Sequence, residues 1–281
     1  MPDLQNDKYR RVNSMRIVNK EYWNKVWREQ PLPGKFDPHK PGLRHYFKRA
    51  MHDHFCALFK GVNTRGMKLI EVGCGRSQLL PYFAREFSFE VTGLDYSDAG
   101  CEMVRTILAR ENIHASIYHA DLFAPPEHLR RQFDVVFSYG LVEHFPDTRG
   151  CIAALGALLK PGGLILTIIP NMVGAVGFVQ KLVHRPTYQI HKLIDEADLA
   201  AAHRSAGFDI LTAEYSLSVN FAVCNMQDAS RRSVAWPIKK TVLIALRGVS
   251  VGVWLFETCF GKLKPIRMFS PYITCFAKNK G

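Results

Sequence analysis

A strand that runs into a glycine turn and then a helix leaves a chain few folds to choose from. Lys68-Leu-Ile-Glu-Val-Gly-Cys-Gly-Arg-Ser77 reads as that junction. Met67 to Val72 is an apolar run of strand length. Gly73 and Gly75 let the backbone turn sharply and approach a ligand with no Cβ in the way. A helix opening at Gln78-Leu79-Leu80 presents unpaired N–H groups to a polar or anionic ligand. Glu71 sits where the strand ends, so its carboxylate faces the same crevice. A dinucleotide fingerprint asks for a third glycine three residues after the second. Gln78 stands there, which weakens a nicotinamide or flavin reading.

The chain around this junction alternates. Strands are predicted over 68–73, 89–94, 115–119, 133–138, 163–169, 208–216 and 271–277, with helices over 77–86, 98–111, 148–159 and 195–205. Asp95-Tyr-Ser97 supplies N-cap chemistry for the 98–111 helix, and Pro161-Gly162-Gly163 ends the 148–159 helix. This rhythm predicts an α/β fold, a doubly wound, mostly parallel seven-stranded sheet with helices on both faces. The expected division is an N-terminal helical cap over 1–60, an α/β core over 61–217 with a lid at about 171–195, a helical insertion over 218–267, and the last core strand in 268–281. Ligands of such sheets bind beyond the carboxyl ends of the strands, at the switch point. Glu71, Asp95, Asp121 and Tyr139 all fall at such ends.

Glu71-x-Gly73-x-Gly75, then Asp95 about 20 residues on, Ala120-Asp121-Leu122, Phe133-Asp-Val-Val-Phe-Ser-Tyr-Gly140 and Lys160-Pro-Gly-Gly163 follow in register. In that order they resemble the class I S-adenosylmethionine-dependent methyltransferases, over about residues 66–216. The resemblance implies S-adenosylmethionine as cofactor and S-adenosylhomocysteine as product. It places Gly73, Cys74 and Gly75 along the methionine part, helped by Glu71. It gives Asp95 both ribose hydroxyls, Tyr96 the adenine face, and Asp121, with Leu122 beside it, the adenine edge. Tyr139 and Gly140 then face the sulfonium. No metal is expected. Ubiquinone O-methyltransferases and small-RNA methyltransferases bind a divalent ion through Glu-x-x-Glu-His, and here Gly140 replaces the first glutamate of Gly140-Leu-Val-Glu-His144. Cyclopropane fatty-acid synthases share the Gly-x-x-Glu-His run, which keeps lipid methylation open.

An acceptor hydroxyl needs a proton acceptor, and an imidazole titrating near ~6.5 serves at neutral pH. His144, after the strand nearest the methyl group, is the first candidate, and His191 in the lid is the second. A structural histidine bonding a loop carbonyl is the competing reading of His144. Trp27, one helical turn from Trp23, and Asn171 and Tyr188 in the lid are candidate substrate contacts. The acceptor is expected to be a small biosynthetic intermediate methylated on a hydroxyl, amine or carboxylate. The alternatives are a lipid or quinone methylated at a membrane surface, and a non-catalytic, cofactor-binding partner subunit.

Charge bears on partners. Lys plus Arg number 37 against 25 Asp plus Glu, a formal +12. The excess suits an anionic partner, yet the Asn-Pro-Pro-Tyr type of motif used on nucleic-acid base amines is absent after the 133–138 strand. Nucleic acid is therefore not favoured. Seven scattered cysteines with no Cys-x-x-Cys pair argue against a disulfide framework or zinc site, and a cytoplasmic location is expected. In 239–267, Val242, Leu246, Val249, Val253 and Phe256 form one predicted helical stripe with Lys239, Lys240, Lys262, Lys264 and Arg267 around it. Packing on the core or on a second subunit, as in a homodimer, is expected there; peripheral contact with a membrane is the alternative.

Overall fold

The computed structural model describes residues 16–226 and 234–281. In chain order the elements are α1 (Lys20–Glu29), α2 (Tyr46–Leu58), β1 (Lys68–Val72), α3 (Leu79–Phe87), β2 (Glu90–Asp95), α4 (Asp98–Arg110), β3 (Ser116–His119), β4 (Phe133–Tyr139), α5 (Thr148–Gly156), β5 (Leu159–Pro170), α6 (Ala175–Val183), α7 (Arg185–Gln189), α8 (Glu196–Ser205), β6 (Phe208–Ser216), α9 (Ala235–Phe260) and β7 (Tyr272–Asn279). The strands form one seven-stranded sheet in the order β3-β2-β1-β4-β5-β7-β6. The first five are parallel, and β7 runs antiparallel between β5 and β6.

The central strands are buried on both faces, as parallel strands between two helix layers must be. Ile70, Val72, Val136 and Ile165 point into one core. Leu69, Val135, Phe137 and Leu166 point into the other. That second core is aromatic: Phe55, Tyr82, Phe83 and Phe137 are all buried and in ring contact. It fixes α2 and α3 against the β1–β4 face.

Caps set the helix starts. Ser97 Oγ accepts from Gly100 N ahead of α4, and Asp195 and Asp198 form a reciprocal capping box on α8. The predicted 148–159 helix stops earlier, at Gly156. Leu159 already pairs with Phe133, and Lys160-Pro-Gly-Gly163 forms the irregular start of β5 rather than a turn ahead of it.

The 239–267 segment departs from its expected packing. The side chains α9 buries are Leu243, Ser250 and Glu257; of the predicted stripe Leu246 packs against the Leu243 cluster, while Val242, Val249 and Phe256 are exposed. Beside the apolar contacts of Leu243 and Leu246 with Val176, Val183 and Phe221, the anchoring groups are polar. Phe221 N donates to Ser250 Oγ, and Tyr46 Oη and Leu263 N donate to the Glu257 carboxylate. A pattern of apolar residues alone does not reveal a seam held by hydrogen bonds.

Candidate active site

The sheet reverses direction of build at β1, which pairs β2 on one side and β4 on the other. A cavity of about 550 Å³ opens there, beyond the carboxyl ends of the strands. Gly73, Gly75, Leu94, Tyr96, Ala120, Leu122, Tyr139 and Gly140 are on its wall. Gly73 has φ +78°, and its N–H donates to Leu94 O at 2.8 Å. Gly75 is required by crowding: a Cβ there would lie 2.8 Å from Trp27 Nε1 and 3.0 Å from Asp95 Oδ2. Gly140, at φ +68°, donates to Ile168 O.

Asp95 ends β2 with its carboxylate held from behind. Oδ2 accepts from Gly75 N and Oδ1 from Ser97 N, both at 2.7 Å. Each oxygen keeps a further lone pair for a ligand. Burial raises its pKa against the pull of those amides. Glu71 is buried in the same crevice, takes a 2.6 Å bond from Ser77 Oγ, and is pushed up to about 8 by burial. The Cys74 thiol turns the other way. A Cβ on Gly93 would sit 2.6 Å from its sulfur, so that side chain fills the sheet core and is not on the cavity wall.

Arg16 was not legible as a site residue. Its guanidinium bonds Asp121 Oδ1 at 2.5 Å and lies 4.6 Å from the centre of the Tyr96 ring, with Phe123 and Phe145 beside it. Asp121 Oδ1 also accepts from Phe123 N, so this oxygen is committed, and Asp121 stands behind Ala120 and Leu122 rather than on the wall. An isolated arginine in a polar N-terminal stretch carries no periodic signal that marks it for burial.

The cavity is roofed by the N-terminal part of the chain. Trp23 and Trp27 of α1, stacked at 5.6 Å, join Phe36 and, from α2, Phe47 and Met51. Trp27 therefore stands on the cavity wall. Asn171 and Tyr188 do not. Asn171 Nδ2 donates to Arg267 O and Ser270 O, stapling the end of β5 to the loop before β7. Tyr188 lies under Lys181, away from the wall. Among the described residues, none of 171–195 lines the cavity. That segment folds instead as α6 and α7, and Lys192 N ties its end to Glu143 O at 2.7 Å.

This tie brings His191 beside the Tyr139–Phe145 turn. The His144 and His191 rings are 4.8 Å apart. His144 Nδ1 bonds Ile190 O at 2.8 Å and His191 Nδ1 bonds Thr187 O at 2.6 Å. Carbonyls only accept, so both Nδ1 atoms carry the proton and both Nε2 atoms are lone-pair acceptors. Burial depresses both imidazoles, His144 to about 3. Burial likewise pushes Glu143, with neither carboxyl oxygen hydrogen-bonded, up to about 8. Of the two imidazoles only His144 reaches the cavity wall, edge-on to Trp23. Glu143, His144 and His191 bring three ligating atoms within 4.8 Å of one another. Bond lengths of about 2.0–2.2 Å to a cation put ligands roughly 3 Å apart, so the trio as it stands is too open, and Gly140 adds no ligand.

These shifts set the pH dependence of stability. The unfolded chain protonates imidazoles below ~6.5, whereas folded His54, His144 and His203 hold off to about 4, 3 and 4. Stability is therefore lost as pH falls through that range. The unfolded chain ionises carboxyls near 4.5, whereas folded Glu71 and Glu143 keep their protons to about 8, so these two destabilise as pH rises to 8. Three imidazoles outweigh two carboxyls below ~6.5, and only the carboxyls act above it. Calorimetric melting of the cofactor-free protein should peak near pH ~6.5. A melting temperature that climbs steadily to about pH 8 would contradict the assigned protonation states.

A family described as a methyltransferase domain matches residues 43–213. The ubiquinone biosynthesis O-methyltransferase of Neisseria meningitidis serogroup C (strain 053442) is 30% identical over 184 residues, covering 60% of this chain and 76% of that protein. Its namesake in Pseudomonas fluorescens (strain Pf0-1) is 31% identical over 158 residues, covering 53% and 67%. Among solved structures, a geranyl diphosphate C-methyltransferase from Streptomyces coelicolor A3(2), complexed with Mg2+, geranyl diphosphate and S-adenosyl-L-homocysteine, superposes with TM-score 0.55 at 14% identity over 92% of this chain and 98% of its own. The [4+2]-cyclase SpnF superposes with TM-score 0.57 at 17% identity, over 92% and 94%. At such identities the superpositions speak to the fold alone.

Proposed function

Since the chain belongs to the class I S-adenosylmethionine-dependent methyltransferases, we propose that it methylates a hydroxyl group on an apolar, quinone-type small molecule. The observation that carries this reading is the roof of the cavity: Trp23, Trp27, Phe36, Phe47 and Met51 offer rings and aliphatic surface to the acceptor. Such a wall favours an aromatic or prenylated body over a charged one. The O-methyltransferases of ubiquinone biosynthesis among its relatives support the same acceptor class.

S-adenosylmethionine supplies a methyl group on a sulfonium, already activated for displacement. The remaining work falls to the chain's own residues. Asp95 receives the ribose hydroxyls on the lone pairs that Gly75 N and Ser97 N leave open. Tyr96 offers its ring to the adenine, with Arg16 fixing the ring and holding Asp121 behind it. Glu71 would hold the amino-acid end, whose ammonium would favour the ionised carboxylate. His144 Nε2 would take the acceptor's hydroxyl proton as that oxygen receives the methyl group. The Glu143 carboxyl, neutral below about 8, lies 3.9 Å from Nε2 and turns only its dipole to that nitrogen.

The test is a panel of acceptors read out by S-adenosylhomocysteine release. Hydroxylated aromatics with prenyl or alkyl tails should turn over, and matched amines and carboxylates should not. Release with amines or carboxylates alone would remove the hydroxyl assignment.

A further inference from the structure

Helix α9 is apolar over most of its circumference yet lies on the outside of the molecule. Its seam of Leu243, Ser250 and Glu257, with Trp254 Nε1 donating to Val219 O and Arg247 to Cys224 O, binds one side to the domain. The rest faces outward. Ile238 is 66% exposed and Phe260 77%, and Val242, Ile244, Val249, Val251, Leu255 and Phe256 are exposed between them. Phe178 and Leu182 of neighbouring α6, 65% and 59% exposed, extend the patch, and Leu263, Ile266, Met268 and Phe269 continue it beyond Gly261. Soluble surfaces rarely leave so much contiguous apolar area uncovered.

The charges around it have one sign. Between residues 234 and 269 there are six Lys and Arg and a single acid, Glu257, which is buried. Lys239 and Lys240 lie near one end of the helix, and Lys262, Lys264 and Arg267 follow the other. Lys262 and Arg267 pair with Asp53 and Asp195 in other elements; Lys264 is exposed. We propose that α9, with the exposed tip of α6 and the 263–269 segment, seats the enzyme in the plane of an anionic lipid surface. Apolar side chains enter the acyl boundary and lysines at both ends meet the headgroups. Spanning is excluded by the seam: Leu243 to Glu257 fixes roughly 21 Å of the helix sideways to the domain. The placement also serves the site. A gap of about 230 Å³ lined by Tyr46, Phe47 and Trp254 lies beside the contact of α2 with α9, and Phe47 also lines the active cavity. The α9 surface lies outside the family-matched span 43–213, so the proposal does not depend on which acceptor is methylated.

The test is sedimentation of the whole protein with phosphatidylcholine vesicles, with and without phosphatidylglycerol. Binding is expected only with the anionic lipid. It should weaken about fivefold per charge in K239E/K240E and fall strongly near 1 M salt, where screening acts within ~3 Å. V249S/F256S/F260S, all at exposed positions, should cut partitioning at least tenfold while S-adenosylmethionine binding in solution stays unchanged. No pelleting of the wild type, or equal pelleting of the triple variant, would overturn the proposal. So would light scattering that shows a wild-type dimer dissolved by the same three substitutions. Association that resists alkaline carbonate would make α9 a spanning helix and overturn the in-plane seat.

Discussion

His144→Ala is expected to lower turnover by about 10²–10⁴-fold, the usual worth of general-base help, while affinity for S-adenosylmethionine holds. The Ile190 carbonyl fixes the Nδ1 proton, so the Nε2 lone pair is the atom presented from the cavity wall. Burial that depresses this imidazole to about 3 keeps it neutral throughout the working range. An imidazole so depressed is neutral but weakly basic, so it takes the proton only in step with methyl transfer, with the Glu143 carboxyl 3.9 Å away. His191→Ala should do less, because that ring stands behind His144 and off the wall. Calorimetric cofactor binding separates lost chemistry from lost packing. A crippled His191 variant beside a nearly silent His144 variant would reverse the two roles. Silence in both would mean the acceptor needs no base, as an ionised carboxylate or neutral amine would not.

Asp95→Ala should weaken S-adenosylmethionine binding at least tenfold. Two ribose bonds to a charged acceptor are at stake, each worth roughly 1.5–3 kcal/mol. The structure adds a second cost. Gly75 N and Ser97 N lose their acceptor, and these are the amides that shape the glycine turn and the entrance to α4. Asp95→Asn keeps one acceptor oxygen and should fall between the two. Unchanged affinity in Asp95→Ala, measured by calorimetry, would remove the assignment of this carboxylate to the cofactor.

The alternation of strands and helices, the glycine turn after β1 and the acid that ends β2 were legible because each is written in adjacent residues. A strand needs a local apolar run, a turn needs glycine, and a cap needs a short polar side chain. The order of the motifs then brought Glu71, Asp95 and Tyr139 to one crevice, since parallel strands put all their carboxyl ends on one edge. Tertiary packing decided what has no local pattern. Arg16 meets Asp121 across 105 residues, and the N-terminal aromatics rather than 171–195 roof the cavity. Asn171 became a staple, and His191 joined His144 through a strap onto the 143–146 turn. On α9 the periodicity showed a helix but not its inner face. Where nearly every position is apolar, hydrophobic spacing cannot choose a side, and the hydrogen bonds of Ser250 and Glu257 chose it instead.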